Sequence, residues 1–154
     1  MELPVPIRRL IYRVGYRILQ AIWLVTKPTL RGVKCVLTDG DRVLLVRHTY
    51  GRRWWDVPGG AIQRGEPPGQ AAHREMSEEL GLTDVDWRPV GEIEVANGRR
   101  TDHLTCFVAD LHQPVIEIDR GELAEARWFA RDRIPSDSSP HLEAILGLPR
   151  PRAS

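Results

Sequence analysis

At 154 residues the chain is long enough for one domain with a core of its own. Hydrophobic residues make up 42% and charged residues 28%, a balance that excludes a disordered tail, a collagen-like repeat and a polytopic membrane protein. The formal charge of +1 hides a division: residues 1–36 hold seven Lys/Arg against Glu2 alone, whereas residues 37–154 hold fifteen against twenty acids.

A basic leader therefore precedes a mildly acidic body, and the body has no basic, aromatic-interleaved patch of the kind a dedicated nucleic-acid binder carries. Cys35 and Cys106 each sit in an apolar run, which reads as two buried thiols in a reducing, cytoplasmic setting rather than a disulfide scaffold.

The leader runs from Val5 to Thr26. At 100° per residue, Arg9, Arg13, Arg17 and Gln20 share a sector about 80° wide, and most of the remaining surface is apolar. This predicts an amphipathic helix stopped near Thr26-Lys27-Pro28. Recurring charges argue against a secretory signal, and three arginines within the segment argue against a bilayer span. Leu10, Ile11, Val14, Ile18, Ile22 and Val25 form an apolar face too large to leave in water. Three fates follow for residues 5–26: packing on the same domain, pairing in a homodimer, or peripheral contact with an anionic membrane.

From Val33 the texture becomes β-rich. Val33–Thr38 and Arg42–Arg47 flank Asp39-Gly40-Asp41 and read as a hairpin. A loop with Tyr50, Gly51, Trp54 and Trp55 leads to a turn at Val57-Pro58-Gly59-Gly60. Pro67 to Leu80 reads as a helix, with Ala71, Ala72, Met76 and Leu80 on one face and Gly81 as its stop. Strands are expected at Val90–Ala96, His103–Leu111, Val115–Ile118 and Ala126–Phe129. A short helix over His141–Leu146 precedes a fraying tail. The expected division is a leader over 1–30, a domain over 31–148 and a flexible tail over 149–154.

Glu75, Glu78 and Glu79 stand at i, i+3 and i+4, so one helix presents three neighbouring carboxylates. Such a cluster is either a solvated acidic face or a site for a hard divalent cation, which reverses the sign of the repulsion. The surroundings favour the second. Gly60 is followed after five residues by Glu66, then after seven by Arg74-Glu75-Met76-Ser77-Glu78-Glu79-Leu80-Gly81-Leu82. This resembles the Nudix box, and all nine of its specified positions fit. Trp55-Asp56-Val57-Pro58-Gly59-Gly60 resembles the usual approach to it, and the likeness extends loosely over residues 31–135.

The resemblance implies an α/β fold, a Nudix-like α/β/α sandwich with a mixed sheet, here preceded by the amphipathic helix. It implies a Mg²⁺-dependent hydrolase, with Mn²⁺ as an alternative ion, that cleaves the pyrophosphate linkage of a small-molecule nucleoside diphosphate derivative. Glu78 and Glu79 would be metal ligands, and Glu75 a ligand or the base that deprotonates water. Arg74 would orient a glutamate, Glu66 would brace the loop–helix corner, and the Gly59 carbonyl would be a further ligand. Glu122 resembles a late-loop glutamate that serves as ligand or base, with Glu125 as its rival.

Other chemistries find no support. The histidines at 48, 73, 103, 112 and 141 lack zinc-ligand spacing, and no P-loop, dinucleotide fingerprint or serine-hydrolase elbow is present. Tyr50, Trp54 and Trp55 are candidates to stack on a base, against the alternative that they pack in the core. Arg64 joins Arg74 as a candidate to neutralise phosphate charge. The stretch Ala96-Asn97-Gly98-Arg99-Arg100-Thr101 carries no subgroup marker, so ADP-ribose-like compounds, nucleotides and nucleotide sugars stay open. Two further readings are a non-catalytic nucleotide-binding module and a membrane-recruited hydrolase of a lipid-linked diphosphate.

Overall fold

In the computed structural model the described residues are 3–26, 29–98 and 100–151. The Val25 side chain, Lys27, Pro28, Arg99 and Arg152–Ser154, named above, lie outside them. The elements are α1 (Val5–Thr26), β1 (Leu30–Asp39), β2 (Arg42–His48), β3 (Gly59–Ala61), α2 (Pro68–Leu80), β4 (Arg88–Asn97), β5 (Arg100–Asp110), β6 (Leu123–Ala130) and α3 (Leu142–Leu146). The sheet runs β4-β5-β1-β2-β6, with β3 added beside β1. Only β1 and β5 run parallel; the other pairs are antiparallel, so the sheet is mixed.

Strand alternation sorts the core into two layers. Val33, Cys35, Leu37, Leu44, Val46, Phe107 and Ala109 point to one face, where Ala71, Ala72, Met76 and Leu80 of α2 cover them. Val36, Val43, Leu45, Cys106 and Val108 point to the other, beneath Leu142 and Ile145 of α3. The result is the expected α/β/α sandwich, with both cysteines buried and free.

β1 pairs with β2 only near their shared turn, at Thr38↔Val43 and Asp39↔Arg42. Toward its start β1 takes β3 instead, with Gly32, Val33 and Lys34 opposite Ala61, Gly60 and Gly59. The sheet thus forks between β1 and β2, and the fork holds the site. β3 was read from sequence as a turn alone; three residues rich in glycine carry no alternation to mark a strand.

Val115–Ile118, expected as a strand, is not one. Its backbone crosses the end of α2 instead, where Glu117 N–H donates to the Leu80 carbonyl at 3.0 Å and Asp119 N–H to the Glu79 carbonyl at 2.9 Å. The segment satisfies helix carbonyls that a sheet ladder would have left open. Gly81, at φ 68°, closes the same end: its N–H reaches Ser77 O and the Leu82 N–H reaches Met76 O, a left-handed cap that glycine adopts without strain. Leu148 packs on the α3 layer, and Arg150 lies 3.9 Å from Asp110.

The leader helix forms, yet it packs with an unexpected face. Arg8 pairs with Asp119 at 3.1 Å, Arg9 Nε donates to Arg120 O, and Arg13 Nε donates to Thr49 O. Tyr12 and Tyr16 lie against Tyr50, with ring centroids 5.7 and 5.4 Å apart. The arginine and tyrosine face binds the domain, and the apolar face points away. Acceptors on the loops at 49–51 and 119–122 match the guanidinium groups, and the Tyr50 ring meets the two tyrosine rings, contacts that hydrophobic periodicity alone cannot foresee. No helix among the described residues is long and apolar enough to cross a membrane.

Candidate active site

α2 separates the three carboxylates. Glu75 and Glu79 lie on its buried stripe with the core residues, whereas Glu78 is exposed at the rim. Arg74 gathers the outer acids. Its Nε and Nη2 donate to the two carboxylate oxygens of Glu66 at 2.8 and 3.0 Å, and its Nη1 donates to Glu75 Oε1 at 2.7 Å. The same Nη1 lies 3.5 Å from Glu78, and Nη2 also donates to the Ala61 carbonyl. Hydrogen bonds from Arg74 and from the Gln63 N–H hold the Glu66 carboxyl down to about 2. Glu66 braces the corner where β3 turns into α2. Arg64 stands exposed to solvent.

Glu79 differs from its neighbours. It is 0% exposed, and neither carboxylate oxygen has a hydrogen-bond partner. Burial, followed by the charges of Glu122 and Glu75, pushes its pKa well above the ordinary carboxylate value; Lys34 and the Gly59 amide only temper the effect. A buried acid without a partner is costly to the fold on its own. Facing it are Glu122 and His48, which offer ligand atoms within 4.8 Å of one another and of Glu79.

Glu122 is half-buried, and burial raises its pKa against the hydrogen bond it accepts from Tyr50 Oη at 3.1 Å. Glu125 pairs with Arg127 at 3.6 Å and is not in this cluster. His48 was missed by sequence reasoning. It ends β2, where the ladder sets it opposite Leu123, next to Glu122. No short-range spacing could reveal a pair separated this far along the chain. Burial lowers the His48 pKa to about 4, with Lys34 adding to the shift, and its Nδ1 is buried without a hydrogen-bond partner. The ring is thus a neutral nitrogen donor. The donor set fits a divalent cation: two carboxylates and an imidazole with ligand atoms within 4.8 Å of one another, those of Glu79 and the His48 Nδ1 without hydrogen-bond partners.

This has a consequence for acid stability. Between pH 6.5 and 4 the unfolded His48 takes a proton that the folded ring refuses, so stability falls as pH drops through that window. For His48→Gln, the urea midpoint is expected to lose this pH dependence, a difference that reaches at most about 3 kcal/mol at the acid end. Parallel pH–stability curves for the variant and the native chain would contradict the assignment.

Two cavities adjoin at the fork, of about 580 and 620 Å³, sharing Tyr16, Lys34, Tyr50, Arg100, Asp102 and Leu104 in their walls. The first reaches Gly59, Gly60 and the inner side of α1; the second reaches His48, Trp54, Asn97 and His141. Lys34 Nζ is fixed by Asp56 at 2.7 Å, and Arg100 grips Asp102 through two hydrogen bonds of 2.7 and 3.0 Å. Of the aromatic candidates, Trp54 and Tyr50 line the cleft. Trp55 does not: it is 4% exposed and edge-on to Phe129 in the core.

The NUDIX domain family model matches residues 28–146. The chain belongs to the Nudix family. It is 39% identical over 64 residues to an ADP-ribose pyrophosphatase of Mycobacterium tuberculosis, covering 41% of this chain and 31% of that protein. It is 32% identical over 96 residues to an NAD-capped RNA hydrolase, NudC, of Vibrio vulnificus, covering 62% of this chain and 36% of that protein. The chain thus spans about a third of the length of these curated Nudix relatives. Among solved structures, the MutT NUDIX hydrolase of Burkholderia pseudomallei superposes with a TM-score of 0.72 at 20% identity, covering 79% of this chain and 98% of the other. The NUDIX domain of Shewanella oneidensis NrtR, complexed with ADP ribose, superposes at 0.59 and 20% identity, covering 84% and 88%. These superpositions bear on the Nudix fold alone.

Proposed function

We propose that this Nudix domain is a Mg²⁺-dependent pyrophosphohydrolase that splits a nucleoside diphosphate linked to a second group, such as an ADP-ribose-like compound or nucleotide sugar. The observation that carries the reading is Glu79, a buried acid with no partner, facing His48 and Glu122. Glu79 would hold the ion, with Glu75, Glu78 and the Gly59 carbonyl from the box side and His48 from the opposite wall. The bound ion would polarise phosphoryl oxygens and make water a better nucleophile.

Glu122 is the better placed base. Tyr50 occupies its Oε1, its pKa is raised, and it lies against Tyr50 and His48 of the cleft wall, so it would accept the proton of the attacking water. Glu75 is less suited, because Arg74 holds its Oε1 in an ion pair. Arg74 is a positioning residue committed to three glutamates, whereas Arg31, Lys34, Arg52 and Arg100 line the cleft. Two adjoining cavities suit a substrate with two bulky ends, the diphosphate at Gly59–Gly60 and a base against Trp54. The named activities of the curated relatives on ADP-ribose and NAD-capped RNA support an adenosine diphosphate moiety.

The test is product analysis by ion-exchange chromatography with ADP-ribose, a UDP-sugar, NADH and dGTP. With Mg²⁺, ADP-ribose is expected to give AMP and a sugar phosphate, and EDTA is expected to stop the reaction. No turnover of any compound with Mg²⁺ or Mn²⁺, alongside tight nucleotide binding, would leave a binding module in place of an enzyme.

A further inference from the structure

Once α1 has docked, its apolar side faces outward. Ile7, Leu10, Ile11, Val14 and Ile18 lie within about 100° of arc on an ideal helix, and all are exposed, Leu10 at 61% and Ile18 at 56%. A continuous stripe of large aliphatic side chains on a soluble surface marks a contact with something apolar. The charge around it identifies the occupant. α1 carries no acid, and of its arginines Arg8, Arg9 and Arg13 are committed to the domain. Arg17 is exposed and borders the stripe beside Leu10, and exposed Arg52 and Arg53 follow Gly51, which Tyr16 covers.

We propose that α1 docks the protein on an anionic lipid surface, with the apolar stripe in the headgroup–acyl boundary and the exposed Arg17, Arg52 and Arg53 against lipid phosphates. A second copy of the chain seated on the same face would meet Arg17 with a helix that carries no acid, whereas an anionic bilayer meets it with the opposite sign. No helix among the described residues is both long and apolar enough to cross the membrane, so α1 would lie in the surface plane. Its inner face, through Tyr12, Gly15, Tyr16 and Leu19 with Ile11 at the edge of the stripe, remains a wall of the cleft. Docking would therefore hold the cleft close to the bilayer, and this inference stands independently of which substrate the domain takes.

Vesicle flotation on a density gradient tests it, using phosphatidylcholine vesicles with and without phosphatidylglycerol. The full chain is expected to float with the anionic vesicles, and high salt should weaken its binding about tenfold. The double variant L10E/I18E, changed at two exposed positions outside the cleft, should lose at least about tenfold in binding. R17Q should lose about fivefold, the equivalent of one arginine near the surface. Failure of the full chain to float with either vesicle, or equal flotation of L10E/I18E, would overturn the proposal. A dimer in sedimentation equilibrium that L10E/I18E dissociates, with no vesicle binding, would also overturn it by assigning the stripe to a second copy.

Discussion

Glu79→Gln is expected to lower turnover by about a thousandfold, the range lost when a buried electrostatic element of an active site is neutralised, while the metal-free melting temperature stays the same or rises. The two halves of this result have one cause. Glu79 is fully buried, unpartnered and crowded by Glu122 and Glu75, so its charge is a liability to the fold and an asset to a cation.

The pH dependence follows in sign. Because the folded pKa lies above the unfolded one, the native state binds more protons in the interval between them, and stability falls as pH rises through it. Glu79→Gln should flatten that slope, and Mg²⁺ should restore stability to the native chain at neutral pH but not to the variant. Glu78→Gln should behave differently, since Glu78 is exposed at the rim. Its activity should recover when Mg²⁺ is raised, whereas that of Glu79→Gln should not. Full activity of Glu79→Gln, or a large loss of melting temperature, would return the residue to a structural role.

The second large effect separates two adjacent glycines. A methyl group at Gly59 would collide with the Val33 carbonyl oxygen in the neighbouring strand, and backbone cannot step aside without breaking the β1–β3 pairing. Gly59→Ala is expected to cost about 3 kcal/mol or more, at the upper end of overpacking penalties, read as a lower urea midpoint. A methyl at Gly60 would instead strike the Glu75 carboxylate, the end of a flexible side chain. Gly60→Ala should therefore fold with near-native stability, yet lose at least about tenfold in turnover as Glu75 is displaced from the Arg74 clamp. Equal effects of the two substitutions on stability would refute this division.

The sequence by itself determined the elements whose physics is local. The apolar runs Val33-to-Leu37 and Val43-to-Val46 specify strands buried on both faces, Gly81 specifies the left-handed stop of α2, and the Gly60–Leu82 segment specifies the acid-bearing helix. What only the tertiary structure decided depends on contacts between distant segments. Glu75, Glu78 and Glu79 read alike as letters on a helix, and the burial of the α2 stripe alone makes Glu79 an unpartnered acid and Glu78 a rim residue.

His48 reaches Glu122 only because β2 and β6 pair in register beside the fork. Trp54 and Trp55, adjacent in sequence, part into cleft and core because successive residues of an extended chain point to opposite sides. The leader shows the limit most plainly. Periodicity gave it an apolar face, but the loops it meets offer carboxylate, carbonyl and phenol partners, so its arginines and tyrosines turn inward and its aliphatic side chains are left facing out.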